Sequence, residues 1–325
     1  MNRLKRYAGA CALALGALAG GQAAAAYPDR PVTVIVGFAP GGTNDILGRL
    51  MAAELAKRLG GSFVVENKPG ANSMISANYV KHAKPDGYTL LVISSGGLTV
   101  NPAVYAPNRI TYDPVKDFTP IALLAKFPLV VTTGAKLKDV KTIPELISLA
   151  KKSPVPLTHG VATSTFQLAA EVLGTAADVK FTEIPYKGSG PVVAALLGGQ
   201  VDFAILDSAA VMPSVRAGRL NALAVTSAKR SDALPGIPTV DESGLPGFEV
   251  PIWTGLVAPA GTPKDVVQTL DHALAQILAE PDVKQKFKQL GMDVGEADSQ
   301  VLETKIQDDI KRWTAAAKKA GMHYE

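Results

Sequence analysis

The chain has 325 residues, of which 47% are hydrophobic and 19% are charged, and this composition can bury a core large enough for two lobes. Its formal charge is +4, and removal of the basic residues Arg3, Lys5 and Arg6 with the N-terminal segment leaves +1. A nearly neutral chain without a basic cluster argues against nucleic acid as a partner.

Residues 1–26 have the parts of a cleaved secretory signal. The basic residues come first, an apolar stretch follows at 8–18, and small residues precede the boundary at Ala26. The apolar stretch is shorter than the roughly 20 residues of a membrane span. Cys11 precedes most of that stretch, which is the wrong place for a lipid-carrying N-terminus. We therefore expect a periplasmic mature chain, residues 27–325, without lipid, cysteine or disulfide.

Short β-branched runs alternate with helical patterns along the chain, which predicts an α/β fold with mostly parallel sheets flanked by helices. One helix start is well marked, because Thr142 is followed by Pro144 and Glu145 in a capping-box pattern. After residue 259 helical patterns follow one another, and we expect them to cover the first lobe. The predicted strands are 32–37, 63–66, 89–93, 121–124, 129–133, 201–206 and 222–226; the predicted helices are 45–59, 142–152, 164–173, 190–197, 209–217, 263–279, 281–290 and 299–320.

Two segments, 124–131 and 223–227, are the candidates for crossovers between the lobes, since no flexible linker or internal repeat is present. We therefore expect one domain from residues 27–126 and 228–325, and a second from 127–227. A chain that leaves one lobe and returns to it encloses a hinged cleft. In open α/β sheets the ligand lies beyond the carboxyl ends of the strands, so strand-to-helix loops should face this cleft.

Four loops fit that position, at 38–45, 94–98, 159–165 and 186–191. Each combines glycine with hydroxyl or amide residues, and the last two lead directly into predicted helices. Main-chain N–H groups and a helix N-terminus can hold a carboxylate in such a loop. Any one of them is equally explained as a tight βα turn, but the four together favour a ligand.

A series of short motifs follows in a specific order over the whole mature chain. They are YP at 27–28 with RP at 30–31, PGG at 40–42 with Asp45 and Arg49, VENKPGA at 65–71, PDGYTLL at 85–91, NP at 101–102 with Tyr105, YDP at 112–114, PYKG at 185–188, LGGQV at 197–201, ALAVTS at 222–227, GLPGF at 244–248 and APAGTP at 258–263. In this order and spacing the chain resembles the Bug family of periplasmic solute-binding receptors, also called the TctC family of tripartite tricarboxylate transporters.

The resemblance implies a two-lobed Venus flytrap that closes over a small organic acid and uses no cofactor. In that family the loop matching 38–45 contacts a ligand carboxylate through its main chain, partly by way of ordered waters, and the loop matching 159–165 closes from the other lobe. Carried over to this chain, the implied ligand contacts are Phe38, Ala39, Gly42, Thr43, Asp45, Ser94 and Ser95 in the first lobe, and His159, Thr163, Ser164, Thr165, Lys187 and Asp207 in the second.

Four residues depart from the family pattern. Val161 and Thr163 replace two glycines of the second-lobe loop, Gln167 stands where a histidine is common, and Ala195 replaces an acidic residue. We expect these changes to alter the usual carboxylate pose, and we expect ligand specificity to lie in the segment 159–164.

Several of the implied contacts also have a purely structural explanation. Asp45 stabilises the first turn of its helix with or without a ligand. Lys187 is equally explained as a solvated charge, and Asp207 as an acceptor for neighbouring loop amides. Phe248 and Trp253 are expected to pack between the lobes.

Catalysis is not expected from this sequence. Ser164 lacks a Gly-x-Ser-x-Gly elbow, and none of the four histidines stands at metal-ligand spacing to another. The segment 188–193 lacks the last glycine of a dinucleotide fingerprint.

We therefore expect a monomeric receptor that captures a dicarboxylate or tricarboxylate, an aromatic carboxylate or an acidic amino acid. It would deliver this ligand to the membrane permease subunits of a tripartite tricarboxylate transporter. The alternative is a periplasmic sensor that passes its closed state to a signalling partner such as a sensor kinase.

Overall fold

The computed structural model describes residues 27–250 and 252–321, and the predicted secretory signal lies outside these ranges. The strands are β1 (Val32–Val36), β2 (Phe63–Asn67), β3 (Thr89–Ser94), β4 (Phe118–Phe127), β5 (Leu129–Thr133), β6 (Leu157–Val161), β7 (Phe181–Pro185), β8 (Phe203–Asp207), β9 (Asn221–Val225), β10 (Ile252–Pro259) and β11 (Asp293–Glu296). The helices are α1 (Thr43–Leu59), α2 (Met74–Lys81), α3 (Asn101–Val104), α4 (Ile143–Lys152), α5 (Ser164–Ala177), α6 (Ser189–Leu197), α7 (Ser208–Arg216), α8 (Lys264–Ala279), α9 (Pro281–Gln289) and α10 (Ser299–Ala320).

The strands form two sheets. One has the order β11-β4-β10-β3-β1-β2 and the other the order β7-β6-β8-β5-β9. In the first sheet β1 to β4 run in one direction, and β10 and β11 run against them. In the second sheet only β5, among the strands of the described residues, runs against the others. The predicted α/β class with mostly parallel strands is therefore confirmed.

The chain passes from the first sheet to the second at Pro128, between β4 and β5, and returns between β9 and β10. We call the part built on the six-stranded sheet lobe 1 and the part built on the five-stranded sheet lobe 2. Helix α10 packs against β4, and α8 packs against α1. The C-terminal helices thus cover lobe 1, as their sequence patterns predict.

The central strands are buried on both faces, which explains why they appear in the sequence as continuous apolar runs rather than as alternating patterns. In β5 every residue is buried, and the same holds for β10. The glycines of these sheets allow close packing. A Cβ on Gly160 of β6 would lie 2.7 Å from Cγ1 of Val192, so α6 can approach the strand only because residue 160 is glycine.

All four of the predicted loops are shorter than expected. Two lose residues only to the following helix, since α1 begins at Thr43 and α6 begins at Ser189, and the other two change more. His159 to Val161 belong to β6, which leaves only Ala162 and Thr163 between this strand and α5. Likewise Ser94 is the last residue of β3, and a turn of π-helix covers Gly96–Val100. The strand β6 was not predicted because His159 and Gly160 have little intrinsic preference for a strand. Pairing with β7 and β8 on either side holds them in one.

Candidate functional site

A cavity of about 570 Å³ lies between the two lobes, within the size range of small-molecule sites. Lobe 1 contributes the loop between β1 and α1 and the end of β3. Lobe 2 contributes the starts of α5 and α6 and one face of α7. Among the residues expected to contact the ligand, Phe38, Ala39, Gly42, Thr43, Ser94, Thr163, Thr165 and Asp207 line this cavity.

The loop between β1 and α1 presents a helix N-terminus to the cavity. Gly42 occupies the N-cap position, where it has no side chain to bond the first amide groups of α1. Gly41 has a φ of 84°, a conformation that favours glycine. Since Gly41, Gly42 and Thr43 all line the cavity, the N-terminus of α1 is placed where it can attract an anion.

Asp45 does not line the cavity but supports this loop from behind. Its carboxylate accepts hydrogen bonds from the Gly41 amide (2.9 Å) and the Asn67 side chain (2.8 Å), and it pairs with Arg49 at 2.9 Å. Burial acts to raise its pKa, but the hydrogen bonds from Arg49, Gly41 and Asn67 outweigh burial and hold the pKa below its ordinary value. The structural explanation of Asp45 therefore fits its surroundings.

Thr163 and Thr165 line the cavity from lobe 2. Thr163 caps α5 by accepting a hydrogen bond from the Phe166 amide at 3.4 Å. The β-branched Thr165 lies so close to lobe 1 that a Cβ on Gly96 would be 2.3 Å from its Oγ1.

Ser164 joins the lobes instead of lining the cavity. Its hydroxyl accepts a hydrogen bond from the Asn72 side chain at 3.0 Å and donates one to Asn101 at 3.4 Å. Both asparagines belong to lobe 1.

His159 lies in β6 and not in a loop, contrary to the sequence prediction, and it does not line the cavity. Its side chain is fully buried in lobe 2, with the ring 4.9 Å from that of Phe203. Its Nε2 accepts the amide hydrogen of Ile205 at 3.1 Å, which leaves the ring proton on Nδ1, 3.4 Å from Glu183. The histidine thus satisfies a main-chain donor between β6 and β8.

Ser95 and Lys187 also lie outside the cavity lining. Ser95 is fully buried, and its hydroxyl accepts the main-chain amide hydrogen of Trp253 at 3.3 Å. Trp253 is itself buried and donates its indole hydrogen to Asp309 at 2.5 Å. Lys187 precedes the lining residues Gly188 and Ser189 but is not one of them.

Asp207 lines the cavity and also accepts hydrogen bonds from neighbouring groups of the protein. It caps α7 by accepting the Ala210 amide hydrogen at 3.0 Å, and it accepts the hydroxyl hydrogen of Ser189 at 2.8 Å. Thr43 of lobe 1 donates to it at 3.4 Å. Asp207 therefore lines the cavity and at the same time connects the N-termini of α7 and α1.

Much of the lining could not be found from loop motifs. The missed residues that form it include Asn72, Phe127, Phe166, Met212, Arg216, Ile252, Gln289 and Leu290. The lining residues on α7 could have been found from the sequence, because this helix was predicted and its lining positions repeat at helical spacing. Residues 252 and 289–290 come from elements distant in sequence and carry no such signal.

The described residues contain no group of three His, Cys, Asp or Glu side chains able to hold a metal ion. No helix in the described ranges is long and apolar enough to cross a membrane.

Residues 47–322 match the family model of the tripartite tricarboxylate transporter family receptor, TctC. The structure of Rpa4515 from R. palustris with adipate is 37% identical, with a TM-score of 0.85, and the alignment covers 91% of this chain and 99% of that one. MatC from Rhodopseudomonas palustris with bound malate is 36% identical, with a TM-score of 0.80 and coverage of 89% and 99%.

The periplasmic binding protein BugD is 37% identical, with a TM-score of 0.81 and coverage of 92% and 100%. These similarities confirm the family resemblance, the two-lobed fold and the expectation of a solute-binding receptor rather than an enzyme. The chain therefore belongs to the TctC family of tripartite tricarboxylate transporter receptors.

Proposed function

We propose that this receptor captures a small carboxylate in the cavity between its lobes and presents it to the membrane permease subunits of a tripartite transporter. The observation that supports this most directly is that the cavity has the N-terminus of α1 on lobe 1, and Thr163 and Thr165 at the start of α5 on lobe 2. A helix N-terminus attracts a carboxylate, and hydroxyl groups donate hydrogen bonds to it.

The relatives narrow the class of ligand. Rpa4515 is described with adipate and MatC with malate, and both are dicarboxylates. We infer that the ligand of this chain is also a small organic acid with at least one free carboxylate. BugD is a periplasmic binding protein, which supports export of this chain and removal of residues 1–26.

Closure of the lobes is the mechanism we propose for presenting the ligand. The moving units are residues 27–126 with 228–325, and residues 127–227. Direct hydrogen bonds already cross the cleft, from Thr43 to Asp207 and from Asn72 to Ser164. A ligand that contacts both lobes adds to these bonds only in the closed state, so its binding shifts the population toward closure.

The test uses the full chain, expressed with its own leader and purified from the periplasm. Thermal unfolding is recorded with dicarboxylates, tricarboxylates, aromatic carboxylates and acidic amino acids, and each hit is titrated calorimetrically. A ligand at a hundred times its Kd should stabilise the fold by about 2.7 kcal/mol. The corresponding uncharged diamides serve as controls. If no acid stabilises the protein, or if diamides do so equally well, carboxylate capture is wrong.

A further inference from the structure

One face of α7 lines the cavity from the first turn of the helix to its last. The lining positions on this helix are Ala209, Ala210, Met212, Pro213 and Arg216, which repeat at intervals of three and four residues. From Ser208 to Arg216 the helix rises about 12 Å. The cavity therefore follows the length of α7 and is not confined to its N-terminus.

The two ends of α7 face different surroundings. Its N-terminus lies beside that of α1, since Thr43 donates to Asp207 at 3.4 Å. Its C-terminal end, at Arg216, is the part of α7 farthest from this contact. The cavity thus extends well beyond the loop between β1 and α1, where we place the first carboxylate of the ligand.

Apolar side chains form much of the cavity lining. Phe127 and Ile252 are directly paired across β4 and β10, and both line the cavity together with Met212 and Leu290. Removing apolar surface from water contributes about 25 cal/mol per Å², so such walls favour methylene groups over hydroxyl groups. A short hydroxylated acid would leave most of this surface without an apolar partner.

Arg216 is the only basic residue of the cavity lining, among the residues that the structure describes. It is exposed and forms no ion pair with any described residue, in contrast to Arg49, which pairs with Asp45. The Asp207 carboxylate at the other end of α7 already accepts three hydrogen bonds. A guanidinium without a carboxylate partner is suited to bind one from the ligand in a bidentate manner.

We propose that the ligand is a dicarboxylate whose two acidic groups are separated by an apolar chain longer than that of malate, and that Arg216 binds its distal carboxylate. This inference rests on the proposed function, because it assigns the second end of the same ligand. The chain between the carboxylates lies against Phe127, Met212, Ile252 and Leu290. Arg216 is in this sense the residue that distinguishes long dicarboxylates from monocarboxylates of equal length.

The test titrates succinate, adipate, suberate, sebacate and the monocarboxylate octanoate into the wild type and into Arg216→Gln. Arg219→Gln is the matched control, because Arg219 is an exposed arginine three residues further along that does not line the cavity. We expect suberate or sebacate to bind more tightly than succinate. Arg216→Gln should weaken these longer diacids about tenfold or more, as expected for a lost charge-assisted contact, and leave octanoate unchanged. Arg219→Gln should leave every affinity unchanged.

The outcomes separate this inference from the proposed function. If acids bind but Arg216→Gln weakens suberate and octanoate equally, or weakens neither, Arg216 is not the distal anchor and the inference falls. Tightest binding of succinate would overturn it as well. If no acid of any length binds the wild type, the proposed function itself is wrong. Unchanged thermal unfolding of the unliganded Arg216→Gln variant excludes a folding defect as the cause of lost affinity.

Discussion

Asp45 holds the β1–α1 loop in place through contacts that do not involve the ligand. The residue is 3% exposed, and its carboxylate bonds to Gly41 of the loop, to Asn67 at the end of β2 and to Arg49 one turn further along α1. Asn67 also donates to the Phe38 carbonyl oxygen at 2.9 Å. The cavity-facing main chain is thus fixed by side chains that lie behind it.

Replacing Asp45 by Asn should reduce the free energy of unfolding by about 2 kcal/mol at pH 7, because one neutral amide cannot accept from Gly41, Asn67 and Arg49 together. The folded pKa of Asp45 lies below its ordinary value of 3.8. The contribution of the Asp45 carboxylate to the free energy of unfolding is therefore complete above pH 3.8 and is lost as the pH falls through the folded pKa. The difference between wild type and variant, measured by urea unfolding, should be constant above the ordinary pKa of 3.8 and should shrink as the pH falls below it.

Asp265→Asn is the matched control, since Asp265 is an exposed acid in the first turn of α8. A charge that acts only on a helix terminus is worth about 0.3–1 kcal/mol. If Asp45→Asn and Asp265→Asn lower the free energy of unfolding by the same small amount at every pH, Asp45 stabilises only the N-terminus of its helix and does not hold the loop.

The contrast between Thr163 and His159 shows what could be predicted about individual residues. Thr163 directly precedes the predicted helix 164–173, a position at which a capping hydroxyl is recognisable from sequence, and it lines the cavity. The side chain of His159 is directed by its place in β6, where the Ile205 amide needs an acceptor. That need arises only when β6 and β8 come together, so the sequence around residue 159 cannot reveal it.

Among the secondary-structure elements, α4 is one whose first residue is set by a local sequence motif, the capping box of Thr142 and Glu145. Thr142 Oγ1 accepts the Glu145 amide hydrogen at 3.3 Å, and the Glu145 carboxylate accepts the Thr142 amide hydrogen at 3.1 Å. The predicted capping box is therefore confirmed.

Replacing Thr142 by Ala should lower the free energy of unfolding by about 1 kcal/mol, because the Glu145 amide loses its acceptor. Thr142→Ser keeps the hydroxyl and should retain most of the stability. Urea unfolding of both variants measures the difference. Equal loss in the Ala and Ser variants would mean that the methyl group of Thr142, not its hydroxyl, stabilises the start of α4.

The strands that sequence patterns missed are β6, β7, β10 and β11. The missed strand β6 is central and contains His159 and Gly160, which have little intrinsic preference for a strand. The other three have partners far along the chain or lie at a sheet edge. β11 is an edge strand of four residues that pairs with β4, and β7 is an edge strand of which no residue is fully buried. β10 is central, but both its neighbours run antiparallel to it and neither is adjacent in sequence. Alternation of strands and helices predicts βαβ units. Strand β10 is not part of such a unit, because the chain enters it directly on its return from lobe 2.

The two lobes contact each other directly at several points around the cavity. Ser208 at the start of α7 donates to the Gly291 carbonyl oxygen of lobe 1 at 2.8 Å. On another side of the cleft Asn72 donates to Ser164, and Thr165 approaches Gly96. In the closure that we propose, these contacts form only in the closed state. A substitution that obstructs one of them should then change closure without altering the core of either lobe.

Gly96→Ala should separate closure from folding. The added Cβ would lie 2.3 Å from Thr165 Oγ1 across the cleft, while its other neighbours, in lobe 1, are at 3.5 Å. Overpacking of this kind destabilises a structure by about 1–3 kcal/mol, and here it should destabilise only the closed state, in which Gly96 and Thr165 approach each other. Replacing a helical glycine by alanine stabilises a fold by about 0.4–1 kcal/mol when nothing obstructs the methyl group. We therefore expect ligand affinity to fall about tenfold while the unliganded protein unfolds at the same or a higher urea concentration.

Gly190→Ala is the matched control for this variant, because Gly190 also lines the cavity at the start of a helix, yet a Cβ there meets no atom within 4 Å. It should leave ligand affinity unchanged. Small-angle scattering with saturating ligand should show wild type and Gly190→Ala becoming more compact, and Gly96→Ala remaining more extended at the same ligand concentration. Full affinity in Gly96→Ala would mean that Gly96 and Thr165 do not approach each other in the ligand-bound state.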